Sequence, residues 1–343
     1  MINLDTLAVD GTVALATNRS GNATVVNDAG LNFAASTVGG ALSATATTGN
    51  ISDSGNLAVT GAATFITGAD GSNIILDSSG NAFSKVVHLK ADTGGNETFG
   101  NITFVDSSSV RLHGPGCGGD SCLTINAGTD GAVGGNLSVT STTGNIDQDY
   151  ALTVGGTSSF TTLANNQRIV LNNANAFTGA VSLNTTGSSA YATVVDASGL
   201  NLGASTVGGY LIATATTGNI TDSGNLTIAG TSSFTTSQNN ADIILNNANA
   251  FTGTVALNTT GSSGNATVVD ASGLNLAAST VGGNLIATAT TGDIVDSGVL
   301  TIAGTSSFTT SQNNADITLD LANALTGTVA LNTTGSTGNA LID

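Results

Sequence analysis

Apolar and polar residues alternate along this chain in short runs. In "NLTIAG", Leu226 and Ile228 fall on one side, and Asn225 and Thr227 on the other. "AVSLN" does the same with Val181 and Leu183. Period-two alternation over such short stretches predicts strands with one buried face. The stretches between them, "TTG", "SG", "GG" and "NNAN", are turn chemistry. The spacing of an amphipathic helix is sustained nowhere.

The runs recur at a fixed distance. "LNTTGS" begins at Leu183, Leu257 and Leu331, and "FTT" at Phe160, Phe234 and Phe308, each 74 residues apart. Segments 177–250 and 251–324 are identical at 62 of 74 positions. Gly49 of the first "TTGN" recurs at Gly144, 95 residues on, so one unit carries about 21 extra residues between Phe83 and Val133. The units run 9–82, 83–176 with the insertion, 177–250 and 251–324, with a partial unit at 325–343.

Self-similar units that each lack a core of their own bury one by stacking. Eight or nine short strands per unit predict an all-β parallel β-helix, one segment spanning 1–343. Three strands per coil give three coils of about 25 residues or four of about 18, roughly 14–18 in all. Phe65, Phe160, Phe234 and Phe308 share one phase, and Phe177 and Phe251 a second, where Leu325 replaces Phe near the end. They are expected to stack inside. An array of β-sandwich domains is the competing fold, but it calls for longer strands and a large aromatic core, and Trp is absent.

Composition narrows the partners. Charged residues are 8%, against about a quarter in most soluble proteins. The net charge is −17 with only five Lys and Arg, which excludes a nucleic-acid partner and disfavours an anionic membrane surface. No apolar run approaches the roughly 18 residues that span a bilayer. The start, "MINLDTLAVDGTVALATN", lacks a secretion signal. The chain is therefore cytoplasmic or cut from a longer exported protein. It enters and leaves within units, as an excerpt of a longer array would.

The stretch "DASGLNLGASTVGGYLIATATTGNITDSGNLTIAGTSSFTT" at 196–236, with its "TTGxI…SGxLTIxG" pattern, resembles the repeats of filamentous-haemagglutinin-type adhesins. The likeness covers nearly the whole chain outside the insertion. It implies a right-handed parallel β-helix, secretion or display at the cell surface, and a role in adhesion or biofilm contact. It further implies export through an outer-membrane pore by two-partner secretion, and a host-cell or matrix glycan or protein as receptor.

No catalysis, cofactor or metal is expected. A hydrolase on such a fold needs a carboxylate pair once, whereas Asp196 and Asp270 share one phase, and Asp53, Asp222 and Asp296 another. Recurrence of this kind is turn capping. Asp147 and Asp149 in "IDQDY" depart from the pattern and are the carboxylates to test first. The calcium-binding "GGxGxD" repeat is missing, and no helix follows any glycine loop. Sequons such as "NAT" at 22–24 follow from composition, with modification left open. Tyr191 and Tyr210 become Asn265 and Asn284 one unit on, which marks exposed positions.

The insertion concentrates the remaining chemistry. Lys85, Lys90 and Arg111 are three of the five cations, joined by both histidines, His88 and His113, the only Glu and the only Pro. Lys85, His88, Lys90, Arg111 and His113 form the candidate contact loop. "HGPGCGGDSC" offers too few ligands for zinc. Two cysteines in a chain that resembles exported proteins favour a Cys117–Cys122 disulfide. It would stabilise by roughly 2 kcal/mol. A shaft, a β-helical carbohydrate-active enzyme or tailspike-like protein, and a binding module are the three functional readings that these residues permit.

Overall fold

A computed structural model describes residues 1–91, 100–114, 122–125 and 132–343. It divides into two compact units, Met1–Gly179 and Ala180–Asp343. Both are parallel β-solenoid, and the chain makes about 15 turns in all. No helix occurs among the described residues.

The second unit displays the regular winding. One column of strands steps through Ile220, Ile243, Ala266, Leu285, Ser306 and Val329, each paired in parallel with the next. The other steps through Leu211, Ser232, Val255 and Leu276, then from Leu276 to Asp296. Each turn places a five-residue strand such as Leu285–Ala289 on one side. Two three-residue strands, Ile294–Asp296 and Leu300–Ile302, lie on the other. Leu285, Ala287, Ile294, Leu300 and Ile302 point inward and are fully buried. Parallel pairing of this kind rules out the sandwich array.

Two copies of "SSFTTSQN", Ser232–Asn239 and Ser306–Asn313, correct the expected winding. The first pairs with Val255–Thr260 and the second with the equivalent Val329–Thr334, yet the two lie in different columns. From Ser232, three turns reach Asp296 and a fourth reaches Leu319, so Ser306 falls midway. The step between copies is three and a half turns, neither three nor four. The exchange takes place at Ala266–Asp270, a long strand laid on the two arms of Ile243–Phe251. Leu274–Leu276 and Ser279–Val281 then lie on Val255–Thr260. Same-phase phenylalanines therefore do not meet. Phe234 packs edge-on against Phe251, of the other phase, with centroids 5.9 Å apart.

Close winding has a steric cost that glycine removes. A Cβ on Gly209 would lie 1.8 Å from the Ala190 carbonyl oxygen of the turn beneath. Corners carry a second device, a buried polar ladder. Asp222 accepts the N–H groups of Asn246 (3.0 Å) and Asn247 (3.2 Å) and the Asn249 amide (2.8 Å). Asn249 in turn accepts the Leu226 N–H at 2.8 Å. Asp270, paired beside Asn249, accepts the Ser272 N–H and hydroxyl, both at 2.9 Å. Recurring Asp does cap turns, as its spacing suggests, and it does so from inside the coil.

The first unit winds the same way, with Asp53, Asn81 and Asp106 at the buried corner. The Asn81 amide donates to Asp53 at 2.6 Å, and its oxygen accepts the Leu57 N–H at 2.7 Å. Phe160 meets Phe177 edge-on at 6.1 Å. One departure is topological. Cys122–Ile125 lies between Val87–Lys90 and Val110–His113, paired in parallel with both, although it follows them in sequence. The insertion therefore returns one strand to the stack, and one column here holds a strand more than its neighbour.

Replacing Asn249 by Leu would strand the Asp222 carboxylate and the Leu226 N–H without their partner inside the corner. Urea unfolding is expected to show a loss of about 2–4 kcal/mol. A loss within experimental error would remove the ladder from the account of stability.

Candidate functional site

The extra strand gathers the sequence-predicted residues on one outward face of the first unit. Strand alternation turns Val87 and Leu89 inward and His88 and Lys90 outward. It likewise buries Val110 and Leu112 and turns out Arg111 and His113. Thr124 pairs with His88 on one side and His113 on the other, so the two imidazoles flank it. Lys85 stands apart. It is exposed at the corner before Val87 and borders a small internal gap with Asp106, Val110, Cys122 and Leu123. Four of the five contact-loop residues thus share a face, and the fifth does not.

The next strands add charge that the insertion does not contain. Arg111 pairs with Asp149, and the His113 Nε2 lies 3.9 Å from the same carboxylate. One coil on, Arg168 grips Asp147 with two parallel bonds, Nε at 2.7 Å and Nη2 at 2.9 Å. A bidentate fork of this geometry fixes both side chains. Both carboxylates singled out for hydrolysis are therefore held by guanidiniums. Tyr150 lies over Gly114, where a Cβ would come within 2.7 Å of its ring. Lys90 has no ion pair among the described residues, and burial lowers the His88 pKa.

Arg168 escaped the sequence reading, yet a signal was present. Asp242 and Asp316 hold the equivalent positions of later repeats, and Thr221 and Val295 hold that of Asp147. Two departures 21 residues apart, opposite in charge, mark neighbours on successive coils. Tyr191 and Tyr210 are a similar pair in the second unit. Their rings stack at 4.5 Å with planes 7° apart, and Tyr210 is exposed.

Cys122 is buried at the start of the returned strand. Cys117, its expected partner, lies outside the described residues, as do Glu97 and Pro115. No cluster of three or more His, Cys, Asp or Glu side chains suited to a metal occurs among the described residues.

Beneath this face sits Asp106. Burial pushes its carboxyl up to about 6, against the hydrogen bonds it accepts from Ser108, Phe83 and Ser107.

These features define the class: a tandem-repeat parallel β-solenoid with a charged outward face where the winding is interrupted. The chain belongs to the family described as "Repeats of unknown function (DUF5649)", whose model matches residues 20–90, 119–184, 189–258 and 263–332. No curated protein and no solved structure matches it.

Asp106 makes stability depend on pH in a defined direction. Its folded value, about 6, lies above the ordinary 3.8, so the folded chain binds the proton more tightly. The cost of the buried charge is absent below the ordinary value, grows through the interval, and is complete above 6. Stability is therefore expected to fall by about 2–3 kcal/mol from this group as pH rises through that window. Denaturant unfolding of Asp106→Asn should show that component of the slope gone. An unchanged slope would mean that Asp106 is solvated in the fold.

Proposed function

We propose that this chain is a length of structural shaft from a secreted or surface-displayed bacterial adhesin. Its charged face, at the interrupted coil, makes the contact with a host-cell or matrix glycan or protein. The observation that carries the reading is where variation falls. Most buried positions recur, with few changes such as Gln148 at the corner position of Asp222, whereas the residues that depart most in charge and size, Arg111, Asp147, Arg168, Tyr191 and Tyr210, face outward. A scaffold that keeps its interior and varies its exterior suits display. Lys90, on the same outward face as Arg111, suits an acidic group on the receptor. Export through an outer-membrane pore rests on the resemblance to haemagglutinin-type repeats.

Two measurements test the proposal. Antibody raised against this segment is expected to label intact cells of the source bacterium. Labelling that appears only after permeabilisation would sink the surface reading. Beads coated with the chain are expected to bind host cells, and Lys90→Glu with Arg111→Glu should reduce that binding by about tenfold, the scale of one lost charged contact. Equal binding by the double variant, with its circular dichroism unchanged, would move the contact elsewhere.

A further inference from the structure

The second unit carries an open groove of about 330 Å³ that the charged face does not involve. Its floor is Ile244, Thr267 and Ile286, the outward residues of three successive strands. Ile286 is 49% exposed, high for a large aliphatic side chain. One wall is a bulge. Between Leu245 and Asn249 the strand Ile243–Phe251 carries more residues than its partner, and Asn246 stands out at the rim. Asn265 and Asn284 close the end, with Asp242 beside them.

Hydrogen bonds already spend part of this polar set. Asp242 Oδ1 accepts the Asn265 N–H at 2.7 Å and its amide at 3.1 Å. Asn265 Oδ1 accepts the Asn284 N–H at 2.9 Å. Asn284 Oδ1 accepts the N–H and hydroxyl of Thr305, at 2.8 and 2.9 Å. What remains are amide donors on Asn284 and Asn246 and the second oxygen of Asp242, above an aliphatic floor. Hydroxyl-rich rings with apolar C–H faces match that pattern. Charge then narrows the class. Residues 180–343 contain nine Asp and no Lys, Arg, His or Glu, so an anionic ligand would be repelled.

We propose that this groove binds a neutral glycan chain, its sugar faces on Ile244 and Ile286 and its hydroxyls on Asn246, Asn284 and Asp242. The repeat supplies its own control. At the positions of Asn265 and Asn284 the preceding repeat has Tyr191 and Tyr210, whose rings stack on each other at 4.5 Å. Tyrosine is thus compatible with the coil at this place and covers ground that asparagine leaves open. The proposal does not depend on the shaft reading, because it concerns a separate face with opposite charge character.

Calorimetric titration of the whole chain with cellohexaose, maltohexaose and an N-acetylglucosamine hexamer tests it. At least one is expected to bind with Kd of roughly 0.1–10 mM, the range of a shallow polar groove. Asn284→Tyr and Ile286→Asp should each weaken that binding by about tenfold, and Tyr210→Asn should leave it unchanged. Circular dichroism and thermal midpoints establish that the variants fold; if Ile286→Asp does not, Asn284→Tyr carries the comparison. Absence of binding to all three sugars at ~10 mM overturns the proposal. So does binding that survives Asn284→Tyr, or binding lost in Tyr210→Asn, which would place the sugar on the tyrosine pair.

Discussion

A parallel solenoid is held by one requirement: each coil must satisfy the backbone of the coils on either side of it. Strand pairing meets this along the flat faces, where N–H and C=O groups find partners one turn away. Corners are the difficulty, because the chain turns there and its peptide groups point away from the ladder. Here the solution is a side-chain amide or carboxylate buried at the corner. Asn249 joins Asp222 to the Leu226 N–H, and Asn81 does the same for Asp53 and Leu57. Where Asp stands in place of Asn, the chain gains an acceptor for several N–H groups and bears the desolvation of a charge. Asp106 shows that this charge is not fully offset.

Much of the architecture was legible in the residues. Alternation marked the strands, and Gly, Asn, Ser and Thr marked the turns. The internal identity showed that the units stack. The half-turn was hidden for a physical reason. A segment such as "SSFTTSQN" carries no mark of the column it will occupy, because both columns present the same inward volume and the same backbone edge. Even their partners are equivalent, Leu211 and Val255 for Ser232 and Leu285 and Val329 for Ser306, so only the count of turns between the copies separates the columns. The winding number is a property of how ATVVD, at 266–270, replaces two short strands, and its sequence is as strand-like as theirs.

The candidate face was legible in part. Composition singled out 83–122, and the fold placed His88, Lys90, Arg111 and His113 together. It also brought in Asp147, Asp149 and Arg168, which lie beyond the insertion. Long-range ion pairs leave no trace in local pattern. In a repeat, however, they leave paired departures separated by one coil, and the Arg168–Asp147 and Tyr191–Tyr210 pairs both follow that rule. The stretch "HGPGCGGDSC" changes meaning for the same reason. Its last residue, Cys122, begins a strand within the stack, so the insertion adds to the scaffold as well as leaving it.

The half-turn has a consequence for display. With an odd number of half-turns between copies, equivalent outward residues alternate between the two columns. Asn265 and Asn284 therefore do not lie over Tyr191 and Tyr210 as a continuous row, though they hold the same places in the sequence. Each copy can vary its outward residues without breaking a row shared with the next, because the rows are made by neighbouring coils and not by neighbouring repeats. Row contacts such as the stacked tyrosines need two changes 19 residues apart, within one copy. Sequence drift between copies is then confined by packing on the inside and by coil neighbours on the outside. That division lets an otherwise uniform solenoid carry a charged face in one unit and an amide-lined groove in the other.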